Sequence, residues 1–83
     1  MYKLLIQFIL FSLLSAQTPD ELLQNGLDML NNGDREGAQA ALEDALQSDP
    51  TFAPAMIALS KVHLRNGDMQ KTQEYIRKAI DAE

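Results

Sequence analysis

From Thr18 to Glu83 the apolar side chains return every three or four residues, the period of a helix with one face turned inward, and polar breaks divide them into four groups. The periodicity predicts a first helix over about Pro19 to Asn31, where Leu22, Leu23, Leu27, Met29 and Leu30 form a face too wide for one neighbour. Such a helix requires cover on two sides. A second helix is predicted over about Arg35 to Gln47, with Ala38, Ala41, Leu42 and Ala45 offering several small residues for close approach. A third spans about Pro54 to Arg65 with Met56, Ile57, Leu59 and Leu64 on its apolar side. The fourth, about Met69 to Ala82, packs Tyr75, Ile76, Ala79 and Ile80.

The breaks carry their own chemistry. Thr18-Pro19-Asp20-Glu21 reads as a helix start, with Thr18 as cap, Pro19 in the first turn and Glu21 placed to close a capping box. Asn32-Gly33-Asp34 ends one helix on a glycine free to turn left-handed and supplies an aspartate to cap the next. Asn66-Gly67-Asp68 repeats that signal, and Asp49-Pro50 stops the second helix, because the residue before a proline is pushed out of helical geometry. Gly33 and Gly67 lie 34 residues apart, and so do Asp34 and Asp68, Leu42 and Ile76, and Ala45 and Ala79. One helical hairpin therefore occurs twice.

Ahead of the hairpins the pattern changes. Met1-Tyr2-Lys3 gives a short positive start, Leu4 to Leu14 is apolar apart from Gln7 and Ser12, and Ser15-Ala16-Gln17 brings small residues. That is the layout of an export signal, with cleavage expected after Ala16. A membrane span needs about 20 apolar residues, and this run is nearer half of that. Leu14 stands where a small residue is preferred before the cleaved bond, which leaves an uncleaved, membrane-tethered form as the alternative. The expected organisation is thus a signal over residues 1–16 and a repeat domain over 18–83, divided as 19–52 and 53–83. The expected location is periplasmic or secreted, with membrane contact only if the signal stays attached.

A hydrophobic share of 46% and a charged share of 23% suit a chain that folds, and the absence of cysteine leaves packing to hold it together. The formal charge of −5 argues against nucleic acid as a partner, which would draw its affinity from clustered Lys and Arg. Loss of Lys3 with the signal would make it −5 − 1 = −6. Thr18 to Pro50 holds eight acids against Arg35 alone, whereas Thr51 to Glu83 holds five bases against four acids.

A hairpin repeated every 34 residues resembles the tetratricopeptide repeat. Gly26, Ala38, Ala45 and Pro50 match the small and special positions of that family in the first copy, Leu22 and Leu42 its large apolar ones, and Met29 replaces the usual aromatic. Met56, Leu59, Gly67, Ile76 and Ala79 match in the second copy, where Ser60 stands for glycine, His63 for the aromatic and Thr72 for alanine. The resemblance implies an all-α fold of two helix-turn-helix hairpins of an α-solenoid, stacked as a right-handed superhelix. It also implies a concave groove, lined by the first helix of each hairpin, that takes an extended peptide or a partner helix.

Carried over residue by residue, the groove positions are Asp20, Leu23, Leu27, Leu30 and Asn31 in the first copy and Pro54, Ile57, Lys61, Leu64 and Arg65 in the second. Lys61 and Arg65 lie one helical turn apart and can together meet a carboxylate. Leu23, Leu27 and Leu30 serve either this groove or the interior. Chaperone-binding members of the family place basic and amide side chains where Leu23 and Leu27 stand, so that function does not carry over. The expected partner is another protein or peptide, with no cofactor and no small-molecule substrate. Helical hairpins of this kind leave one face for a neighbour, and about three are normally stacked for independent stability. Two are visible, which points to a fragment of a longer scaffold or enzyme, to pairing with itself or a partner through the last hairpin, or to marginal stability.

Nothing in the sequence assembles an active site. His63 is the lone histidine, with no nucleophile or metal-ligand motif beside it, and is expected to pack between the hairpins. The neighbours Glu43-Asp44 and Asp20-Glu21 diverge around their helices and cannot face each other as acid and base.

Overall fold

The computed structural model describes residues 17–83; the expected export signal lies outside the described residues. Four helices follow in order: α1 (Pro19–Asn31), α2 (Arg35–Ser48), α3 (Ala53–Arg65) and α4 (Met69–Ala82). Helix α1 pairs with α2 and α3 with α4, while α3 also touches both α1 and α2, so the second hairpin docks on the first through its leading helix. Two helix-turn-helix units stacked in this way are the hairpin solenoid that the 34-residue repeat predicts.

The helix ends are set by the residues that the sequence marks. The Thr18 hydroxyl accepts from the Glu21 N–H at 3.1 Å, with Pro19 in the first turn of α1. Asp34 Oδ1 accepts from the Gly37 N–H at 2.9 Å at the start of α2, and Asp68 Oδ1 from the Lys71 N–H at 3.1 Å at the start of α4. Gly33 and Gly67 adopt φ of +86° and +81°, the left-handed turn that glycine takes without strain. Past each glycine the chain folds back by the same pair of bonds. Gly33 N–H donates to Leu30 O at 3.1 Å and Asp34 N–H to Met29 O at 2.8 Å; Gly67 donates to Leu64 O at 3.0 Å and Asp68 to His63 O at 2.9 Å. The repeat therefore holds at the level of single hydrogen bonds.

Between the hairpins, Asp49 leaves helical geometry before Pro50 and its carboxylate accepts from the Thr51 N–H at 3.1 Å and hydroxyl at 2.9 Å. Helix α2 runs one residue beyond its predicted end, to Ser48, and α3 starts one residue early, at Ala53. Both differences fall within the play of any helix terminus.

The core lies where α2 and α3 meet. Leu42, Leu59 and Val62 are fully buried, worth about 1.5–3 kcal/mol each in transfer from water. Ala38, Ala45, Ala55 and Ala58 line the same cluster and let the backbones approach. Leu22, Leu23, Leu27 and Met29 of α1 pack on it from the side, partly buried, as the wide face of that helix requires.

Helix α3 corrects the predicted face. It buries Ala55, Met56, Ala58, Leu59, Ser60, Val62 and His63, while Ile57 and Leu64 stay exposed. Its buried arc is broad because α1 and α2 cover one flank and α4 the other, so small residues and Val62 take positions that a size-weighted reading passes over. Helix α4 corrects it in the other direction. Thr72 and Ala79 are buried and Tyr75 half-buried, but Ile76 and Ile80 remain exposed because α4 is covered by α3 alone.

His63 also departs from expectation. It is buried, and its ring lies parallel to that of Tyr75 with centroids 5.5 Å apart, so its aromatic partner belongs to its own hairpin rather than to the neighbouring one. Lys78 Nζ stands 5.3 Å above the same tyrosine ring and pairs with Glu74 at 3.2 Å.

Candidate partner-binding groove

Helices α1 and α3 are the leading helices of their hairpins and touch each other. Positions 34 residues apart are equivalent in the repeat register: Leu23 with Ile57, Leu27 with Lys61, Leu30 with Leu64, and Asn31 with Arg65. On α3, Pro54, Ile57, Lys61, Leu64 and Arg65 are all exposed and recur at helical spacing, so they form one continuous stripe between its two buried flanks. On α1, Leu23 and Leu27 are half-buried, packing on the core along one edge and open along the other, while Asp20 and Asn31 are exposed.

Leu30 does not join them. It is only 6% exposed, against 53% for Leu64 at the same place in the second repeat. Docking of the second hairpin covers Leu30, and the described residues hold no third hairpin over Leu64. Of the two readings open for the α1 leucines, Leu30 takes the interior, and Leu23 and Leu27 are partly buried against the core and partly open to solvent. The exposed and half-exposed positions thus comprise the apolar side chains Leu23, Leu27, Ile57 and Leu64 and two cations, Lys61 and Arg65.

Its electrostatics are uneven. Helix α3 contains no acidic residue. Among the described residues the one ion pair is Lys78 with Glu74, so Lys61 and Arg65 have no carboxylate partner. A third cation approaches from α2, where Arg35 Nη1 donates to the Arg65 carbonyl oxygen at 3.1 Å. That bond ties the start of α2 to the end of α3 and satisfies one of the carbonyls that a helix terminus leaves open. The sequence pattern holds no signal for it, because the partner is a backbone atom 30 residues away.

The described residues contain no cluster of three His, Asp or Glu side chains placed to hold a metal ion, and no helix long and apolar enough to cross a membrane. What the arrangement offers chemically is a surface: apolar contact flanked by charge.

The family description "Tetratricopeptide repeat" matches residues 29–83, from the last turn of α1 through α4. The chain belongs to the tetratricopeptide repeat family. Its repeats are therefore of a kind that typically binds other proteins and is typically not catalytic. The tetratricopeptide chain is also similar to ALBINO3-like protein 2, chloroplastic, of Arabidopsis thaliana, with 30% identity over 67 residues. That stretch is 81% of this chain and 13% of the relative, so the chain spans a small part of the curated relative's length. No solved structure matches it significantly.

Proposed function

We propose that this tetratricopeptide chain is an exported, non-catalytic scaffold that seats a peptide or partner helix of another protein on the groove formed by α1 and α3. The observation that carries the reading is Ile57, 43% exposed on a helix that buries most of its other apolar side chains. Leu64 beside it is more open still, and Leu23 and Leu27 continue the apolar strip on the neighbouring helix. A helix or extended peptide laid across such a strip gains affinity from apolar anchors at helical or alternating spacing. Export rests on the leader-like residues 1–16, and the uncleaved form of that leader would hold the scaffold at a membrane.

Affinity capture from the exported fraction tests the groove. Ile57→Asp places a charge on the strip without touching the core, and combined with Lys61→Glu it should abolish recovery of the partner while circular dichroism stays unchanged. A double variant that captures the same protein undiminished would show that the groove is elsewhere.

A second reading is favoured by the outer side of α4. Ile76 is 44% and Ile80 67% exposed, whereas Leu42, the counterpart of Ile76 in the first hairpin, is fully buried and Leu46, the counterpart of Ile80, is half-buried. In the first hairpin that side is covered by the next helical unit. The same cover on α4, from another hairpin of a longer protein or from a second copy, would make this chain an assembly element. Light scattering across a dilution series tests the second copy, with association lost on Ile80→Glu.

A further inference from the structure

The groove's charge identifies its occupant more narrowly. We propose that the segment bound there is an acidic amphipathic one, with apolar side chains on Leu23, Leu27 and Ile57 and two carboxylates one helical turn apart on Lys61 and Arg65; this rests on the groove reading above.

Four observations support that chemistry. The chain is acidic as a whole, yet the exposed stripe of α3 carries two cations and no anion. Lys61 and Arg65 stand at the spacing that puts both on one face, and neither has an ion-pair partner among the described residues. Arg35 adds a third positive group at the same end, fixed there by its bond to the Arg65 carbonyl. Two acids near that end, Asp34 and Asp68, accept from the amides of Gly37 and Lys71 as helix caps.

Position gives the occupant a direction. Asp20 stands at the opposite end of the groove, level with Pro54, so a bound acidic group is repelled there and drawn toward Arg65. Exposed Ile57 and Leu64 interleave with the cations, which suits carboxylates set along an apolar segment and disfavours a polyanion without apolar side chains. The net charge of −5 opposes a polyanion further.

The test uses the 83-residue chain and synthetic, fluorescently labelled helical peptides, each with leucines along one face and a flanking pair of residues one turn apart. The pair is glutamate in one peptide, glutamine in the second and lysine in the third, and binding is read by anisotropy. The glutamate peptide should bind about threefold to tenfold more tightly than the glutamine peptide, the size expected of two exposed ion pairs. Its affinity should fall with added salt, and Lys61→Glu with Arg65→Glu should reverse the order in favour of the lysine peptide. Equal binding of all three, lost on Ile57→Asp, would overturn the acidic partner and leave the groove standing. Binding that survives Ile57→Asp, or no binding by any peptide, would overturn the groove and the proposal with it. All substituted side chains are exposed, so loss of fold is separable by circular dichroism.

Discussion

A Cβ atom added to Gly26 would stand 2.8 Å from Cγ and 2.9 Å from Cδ2 of Leu42, the fully buried leucine at the centre of the first hairpin. Helices α1 and α2 are this close because one of them lacks a side chain at the crossing. Gly26→Ala is expected to destabilise the chain, although alanine is the better helix former. The propensity gain is about 1 kcal/mol. Overpacking a filled core costs about 1–3 kcal/mol, and Leu42, which would have to shift, is fully buried. Thermal denaturation followed by circular dichroism should show a lower midpoint.

Ser60 occupies the place of Gly26 in the second repeat, buried, with its hydroxyl donating to the Ile57 carbonyl oxygen within the helix. Ser60→Ala removes a local bond that competes with the helical ladder and adds no volume, so the midpoint should move little. The same register thus predicts different outcomes in the two hairpins, a loss in the first and little change in the second. A common response to both substitutions would contradict the packing described.

Leu42→Ala and Ile76→Ala are a second matched pair. Leu42 is fully buried, and its truncation should cost about 2–5 kcal/mol, enough to unfold much of a two-hairpin domain. Ile76 is half open to solvent, and its truncation should cost less than about half of that. Urea titration of both variants measures the difference.

Gly33 and Gly67 test backbone rather than packing. Nothing lies within 4 Å of a Cβ at either position, so any loss on substitution comes from the positive φ alone. Each alanine should cost about 1–2 kcal/mol, and asparagine less. Equal effects at the two turns are expected, since the bonds that close them are the same.

Much of this architecture is legible in the sequence, and the parts that are not have physical causes. Caps and turns depend on a few adjacent residues, so Thr18, Gly33-Asp34, Asp49-Pro50 and Gly67-Asp68 announce the helix ends almost to the residue. Burial depends on how many neighbours each helix has. Ile76 and Ile80 look like core residues by type and spacing, but α4 has cover on one side only. Leu30 and Leu64 occupy the same motif position with opposite fates, because only the first is overlaid by another hairpin. The groove positions Leu23, Leu27, Ile57, Lys61 and Arg65 came from the repeat register, whereas the Arg35 bond to Arg65 and the stacking of His63 on Tyr75 arise from tertiary approach alone.

The proposed export signal over residues 1–16 yields one further expectation. Mass measurement of the exported chain should find Gln17 at its start, with Lys3 removed. A chain beginning at Met1 would support the tethered form instead.

Chemical-shift mapping tests the proposed groove most directly. Titrating the isotope-labelled chain with the leucine and glutamate peptide should move the amides of Leu23, Leu27, Ile57, Lys61, Leu64 and Arg65 and leave the outer face of α2 undisturbed. Shifts concentrated on Glu43, Asp44 and Gln47, with those of Ile57 and Lys61 unchanged, would contradict it.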